Sequence, residues 1–216
     1  VYEEGSLIKR SIRDLYHKDF EEILIEGEDS YKNAKEYMKL LMPSHARKIK
    51  LFKKEEALFQ ESGIEDQLSA MFNPVVPLPS GGYLVINPTE ALVSVDVNSG
   101  RSTKEHSVEK TALKTNLEAA TEIARQMRLR DLAGLLVIDF IDMDENRNNR
   151  AVERRIKDAL KKDRARIQVG KISPFGLLEL SRQRMRSGVL EGSSNHCSHC
   201  NGTGMVRSIE SRALHV

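Results

Sequence analysis

Residues 91–100 read ALVSVDVNSG, with Ala91, Val93, Val95 and Val97 falling on one side and Leu92, Ser94, Asp96 and Asn98 on the other. Period two among β-branched residues predicts a strand with one buried face. Asp96 and Asn98 then project from the second face at the strand's end, just before a Ser-Gly break. A second strand-like run, LLVIDF (135–140), again carries an acid, Asp139, at its end. Two carboxylates at the ends of two strands can hold a hard divalent cation. The rival reading is that an Asp at a strand end serves a turn or a cap, the commoner use of that residue there.

Working outward, YLVI (83–86) and ALVSVDV are joined by Asn87-Pro88-Thr89-Glu90, which predicts a β-hairpin. The polar stretch that follows holds Arg101 and Lys104. A long helix comes next, with Leu113, Leu117, Ala120, Ala124 and Met127 as its sheet-facing stripe. LLVIDF is almost wholly apolar, so it is expected as a central strand covered on both faces. Asp139, Asp142 and Asp144 cluster at its exit. ENRNNR opens another helix, with Val152, Ile156, Ala159 and Leu160 inward, and RARIQV (164–169) reads as a strand. FGLLEL reads as a short helix, and SRQRMRSG as a basic tail.

Upstream, residues 1–75 form an α/β unit. Leu7, Ile8, Ile12 and Leu15 recur at helical spacing, and EEILIEG is a short strand. Asp29 and Ser30 offer caps to a helix with Ala34, Tyr37, Met38 and Leu41 on one side, stopped by Pro43. KIKLFK is a second strand. Strand, helix, strand at this spacing predicts a βαβ crossover whose sheet is too small to be complete. Pro and Gly in NPVVPLPSGG mark a boundary before the hairpin.

The chain of 216 residues suits one large or two small domains. Its formal net charge of +2 excludes a global basic field. Basic residues nevertheless crowd between Arg125 and Arg186, mostly as arginine. They suit either bidentate phosphate contact or solvated helix faces. Both cysteines lie in one CxxC, Cys197 and Cys200, and no apolar run is long enough to span a membrane, so a reducing cytoplasm is the default. Structural zinc wants four ligands. His196 and His199 are badly placed to complete one tetrahedron, whereas two chains each giving a thiol pair would. A redox CxxC is the rival, weakened because Gly202 and Gly204 follow rather than a helix start. The chain begins at Val1 in mid-pattern, as expected of a piece of a longer protein.

The runs GGYLVINPTEALVSVDVNSGRST, TALKTNLEAATEIARQMRLRDLAGLLVIDFIDM, NNRAVERRIKDALKKDRARIQV and FGLLELSRQRMRSGVLEGS closely resemble the ribonuclease E/G family, nearest to its E-type members of α-proteobacterial kind. The resemblance implies an α/β fold in pieces. Residues 1–77 would be the second half of a ribonuclease-H-like subdomain, and 78–192 a deoxyribonuclease-I-like catalytic subdomain. Residues 193–208 would be a zinc-link, and 209–216 the start of a following segment. The family's inserted OB-type RNA-binding domain and 5′-end sensor are not in this sequence. By resemblance, Asp96 and Asp139 hold Mg²⁺, Asn98 orients the scissile phosphate, and Arg166 matches a basic residue near the active centre. Asp142 is a structural or neighbouring carboxylate rather than a ligand. Cys197 and Cys200 share Zn²⁺ with a second protomer, although the usual Cys-Pro-x-Cys has Ser198 in place of proline. The implied activity is Mg²⁺-dependent endonucleolytic hydrolysis of single-stranded RNA to 5′-phosphate and 3′-hydroxyl ends, in RNA processing and mRNA decay. The alternative is a weakly active fragment serving as an RNA-binding and zinc-mediated oligomerisation module. Implied partners are single-stranded RNA, a homodimer or dimer of dimers, and RNA degradosome components docking outside this region. The implied location is the cytoplasm, with a place at the inner face of the cytoplasmic membrane.

Overall fold

The structure is a computed structural model and describes residues 6–100, 108–195, 197–200, 202 and 204–213. Arg101, Lys104 and His196 lie outside the described residues. The chain divides into two compact units, one ending at Ser69 and the other beginning at Ala70. That division falls earlier than the 77/78 boundary implied by resemblance, because Val75–Pro77 is a strand paired with the hairpin that follows it.

The first unit contains α1 (Leu7–Leu15), β1 (Ile23–Glu26), α2 (Glu28–Leu41), a 3₁₀ turn (Pro43–Lys48), β2 (Ile49–Phe52) and α3 (Leu58–Glu61). The helix α4 (Ile64–Ala70) then leads out of it. β1 and β2 pair in parallel, Ile23 opposite Ile49, so the strand–helix–strand reading holds. Ile12, Ile25, Ala34, Met38, Ala46 and Ile49 make its small core. The start of α2 differs from expectation. Gly27, at φ 89°, is the cap, and Asp29 and Ser30 lie inside the helix. Glu28 and Asp29 thus occupy the first turn, where the helix dipole favours acids.

The second unit is built on a mixed six-stranded sheet in the order β3-β4-β5-β6-β8-β7. Its strands are β3 (Val75–Pro77), β4 (Tyr83–Pro88), β5 (Val93–Asn98), β6 (Gly134–Asp139), β7 (Ile167–Ile172) and β8 (Leu177–Arg182). Only β5 and β6 run parallel; α5 (Val108–Leu129) lies between them in sequence, and α6 (Asn146–Leu160) follows β6. Short helices α7 (Val189–Ser193) and α8 (Ile209–Ala213) come last. Among the described residues, no helix is long and apolar enough to cross a membrane.

Val93, Val95 and Val97 are buried as the alternation predicts, joined by Leu84, Ile86, Leu136, Ile138, Leu178 and Leu180 from neighbouring strands. Ala119, Ala120, Ile123, Ala124 and Met127 of α5, with Val152, Ile156 and Leu160 of α6, close over that face. Two expectations fail here, and a third holds in part. β6 is central but covered on one face: Leu136 and Ile138 are buried, while Leu135 is exposed and Val137 half-buried. The expected stripe of α5 holds at Ala120, Ala124 and Met127, which are buried, and is widened at its first half. Ala112, Thr115, Asn116 and Ala119 turn inward, and Leu113 and Leu117 sit at the margin, because small residues let the helix approach the sheet closely. FGLLEL is not helical. From Leu177 it forms β8, with Leu178, Leu180 and Arg182 inward and Glu179 and Ser181 outward. β6 and β7 each pair with β8, so tertiary pairing overrode an ambiguous leucine pattern.

Candidate metal centre

The parallel register of β5 and β6 runs Val93↔Leu136, Ser94↔Val137, Val95↔Ile138 and Asp96↔Asp139. Both strands point the same way, so their two acids arrive at the same end of the ladder as its last pair. Partners in register share a sheet face, and adjacent strands lie about 4.8 Å apart. Asn98, one strand period beyond Asp96, donates its amide Nδ2 to Asp96 Oδ2 at 2.7 Å. Burial, then the negative charges of Asp96 and Asp142, push the Asp139 carboxyl above its ordinary range.

Asp142 joins this group through the turn before β8. The Phe140 amide donates to the carbonyl of Gly176 at 3.2 Å. Gly176 has φ +77°, and a Cβ there would lie 2.8 Å from Asp142 Oδ1, 3.2 Å from the Phe140 carbonyl oxygen and 3.9 Å from Asp139 Oδ1. Glycine is therefore required both by conformation and by space. Beside it lies a polar cavity of about 170 Å³, lined in part by Asp142, Ser173, and Asn146 and Asn149 of α6's first turn.

Residues unmarked by sequence reasoning hold this arrangement. Asn116 is fully buried; its Nδ2 donates to the Ile141 carbonyl at 2.8 Å, and its Oδ1 accepts the Ile141 amide at 3.0 Å. It fastens the chain two residues after Asp139 to α5. A lone Asn on an alanine-rich buried face was the available signal. Glu109 accepts the amides of Asp144 and Glu145 and the side chain of Asn148, fixing the entry to α6. Gly82 lets the turn between β3 and β4 close on the end of β5, since a Cβ there would stand 2.6 Å from the Asn98 carbonyl oxygen.

Arg166 is not brought to the acid pair. It is exposed at the opposite end of the sheet, where its carbonyl accepts the Gln183 amide beside the Ile167–Arg182–Gly134 row. From Gly134 to Asp139 the strand spans about 17 Å. Several other arginines of the expected basic tail are internally engaged. Arg182 is buried against Asp163, Arg186 pairs with Asp131, and Arg184 pairs with Glu191. Among the described residues Cys197 and Cys200 form no disulfide; the first is exposed and the second half-buried. Backbone N–H groups of Cys200 and His199, then the Cys200 side chain, hold the Cys197 thiol below its ordinary range, which favours the ligating thiolate.

A family model described as "Ribonuclease E/G family" matches residues 1–185. The chain is 51% identical over 216 residues to Ribonuclease E of Haemophilus influenzae, covering 100% of this chain and 23% of that protein. It is 48% identical over 217 residues to Ribonuclease E of Escherichia coli, covering 100% of this chain and 20% of that one. Against Ribonuclease G of Salmonella typhimurium it is 34% identical over 210 residues, 97% of this chain and 43% of the relative. The chain belongs to the ribonuclease E/G family. It spans about a fifth to a quarter of the length of the two ribonuclease E relatives.

In this family member, the donor set suits a small hard cation. Mg²⁺ commonly takes one or two protein carboxylates and keeps several waters or phosphate oxygens. Asp96 and Asp139 are such a pair. Among the described residues no group of three or more His, Cys, Asp or Glu is placed to enclose a metal ion, so a cation here would draw its remaining ligands from water or phosphate. A cation between them would also remove the repulsion that raises the Asp139 carboxyl.

Proposed function

We propose that this chain is the catalytic part of a divalent-metal-dependent endoribonuclease, acting on single-stranded RNA in RNA processing and mRNA decay. The observation that carries this reading is the in-register placement of Asp96 opposite Asp139 in a chain of the ribonuclease E/G family. Asp96 and Asp139 would hold the Mg²⁺ ion. Bound Mg²⁺ supplies Lewis-acid polarisation of a phosphoryl oxygen and a more acidic water, which suits hydrolysis to 5′-phosphate and 3′-hydroxyl ends. Asn98, fixed by its bond to Asp96, orients the scissile phosphate. Asp142 adds negative charge beside them, and Asn116 and Gly176 keep the post-strand loops in place. Arg166, across the sheet, is left out of the reacting set.

In this reading the first unit is the second half of a ribonuclease-H-like subdomain and the sheet unit is deoxyribonuclease-I-like. Cys197 and Cys200 form half of a Zn²⁺ site shared between two protomers, with a dimer of dimers in the longer protein. Degradosome partners dock on other regions, and the protein works in the cytoplasm and at the inner face of its membrane. The second reading, a weakly active RNA-binding and zinc-assembly module, rests on the neighbouring thiols of Cys197 and Cys200.

Cleavage of an A/U-rich single-stranded RNA in Mg²⁺ separates the two. Asp96→Asn and Asp139→Asn should each cost more than about a hundredfold in rate, beyond the usual loss from an outer-shell partner, while retaining the parent's circular dichroism. A parent-like rate in Asp96→Asn contradicts the assignment. For the zinc link, chelation or Cys197→Ser should move the sedimenting species from dimer to monomer; a dimer that persists through both refutes it.

A further inference from the structure

The outer side of α6 is a row of cations. Arg147, Arg150, Arg154, Lys157 and Lys161 recur at intervals of three and four residues, which places them along one side of the helix, and all are exposed. The row is about 21 Å long. Arg147 is paired with Glu145, and Lys161 with Asp158. Among the described residues, Arg150, Arg154 and Lys157 have no acid within ion-pair distance. One position round the helix, Arg155 joins Lys110 and Lys114 of α5 on the rim of a groove of about 460 Å³, floored by Pro79, Leu113 and Leu117. Two acids share this groove, and both are directed to protein groups. Glu118 accepts the Ser80 amide at 2.9 Å, and Glu122 accepts from Arg125 and Gln126.

A row of guanidinium and ammonium groups beside an apolar floor suits a polymer of phosphates and flat bases. The cations follow the backbone, and the floor accepts a base without reading its edges. An anionic membrane fits less well, because an interfacial helix needs large apolar side chains beside its cations, and no large apolar side chain of α6 is exposed. The row also begins near the site: Asn146 and Asn149 of the first turn of α6 line the polar cavity with Asp142 and Gly176, and Gly176 lies beside both Asp142 and Asp139.

We propose that α6 and the neighbouring groove of α5 form a sequence-independent track for single-stranded RNA flanking the cleaved bond. The choice of RNA as ligand rests on the ribonuclease reading, but binding can be measured apart from cleavage. The full chain would be titrated with a long, labelled, unstructured A/U-rich RNA and with a tetranucleotide across a salt series. In the triple variant Arg150→Ala, Arg154→Ala, Lys157→Ala, the slope of log affinity against log salt for the long RNA should flatten by about 2, with affinity more than about tenfold weaker in low salt. Binding and cleavage of the tetranucleotide should be unchanged, and Arg150→Lys with Arg154→Lys should keep the parental slope. An unchanged slope in the triple variant overturns the track, as does an equal loss for the tetranucleotide, which would mark damage to the site. Loss of binding to anionic lipid vesicles with RNA affinity intact would assign the row to a membrane and also overturn it. If neither RNA is cleaved by the parent while the slope still flattens, the ribonuclease reading fails and the track stands.

Discussion

The two ends of the six-stranded sheet hold carboxylates in opposite company. At the end where β6 begins, Arg182 donates Nε and Nη2 to Asp163 at 2.8 and 3.2 Å, with both side chains almost fully buried. Its Nη1 donates to the Leu132 carbonyl at 3.1 Å. Burial alone would push the Asp163 carboxyl up, but the Arg182 hydrogen bonds, the Ala165 amide and the charges of Arg182 and Arg128 outweigh it, and the net direction is down. At the end where β6 finishes, Asp139 faces Asp96 and Asp142, and its carboxyl is driven up. Carboxylates neutralised from within stabilise the fold. Those left facing one another repel, and in the proposed function they take a cation from outside.

The contrast breaks most sharply at Arg182. Arg182→Met should cost about 3–5 kcal/mol in urea unfolding, because Asp163 would be left buried without its partner. Metal binding at the other end should survive. The pH dependence follows from the lowered Asp163 carboxyl. Its stabilisation is complete above the unfolded value of about 4 and is lost as pH falls through the folded value. The gap between parent and Arg182→Met urea midpoints should therefore narrow on acidification; a gap constant with pH contradicts the pairing. Next in size, Asn116→Ala should cost about 2–3 kcal/mol by leaving the Ile141 amide and carbonyl unpaired, and should lower cleavage by loosening the loop after Asp139. An unchanged melting curve would show that Asn116 bears no such strain. The smallest effect has the opposite sign. The folded Asp139 carboxyl is raised, so its ionised form opposes folding at neutral pH and the penalty fades as pH drops below the folded value. Asp139→Asn should give a small rise in thermal midpoint without metal, whereas a fall would show that the carboxylate is internally compensated.

The acid end of β5 was legible because period-two alternation is local: a valine every second residue declares the buried face without any knowledge of the neighbour. The all-apolar run of β6, by contrast, marked a strand and its acid but not its faces. Their pairing was less so. That Asp96 stands opposite Asp139 depends on strand register across a helix and on resemblance, not on spacing. FGLLEL was misread because Leu177, Leu178 and Leu180 fit a helical turn as well as a strand. Only the pairing of β8 with β6 and β7 decides between them. Arg182 looked like one of a basic tail, since burial of a guanidinium depends on a distant partner, here Asp163. Gly176 was invisible for the same reason, and Asn116 showed only as a lone Asn on an alanine-rich face: each matters through the loop it meets.

The most direct measurement is Mn²⁺ binding followed by electron paramagnetic resonance, using an ion that favours oxygen ligands over the cysteine thiolates. The parent and Arg182→Met should each bind Mn²⁺ at one oxygen-ligand site, and Asp96→Asn and Asp139→Asn should lose it. Binding that is undiminished in both asparagine variants would contradict the assignment of the paired strand ends as the metal centre.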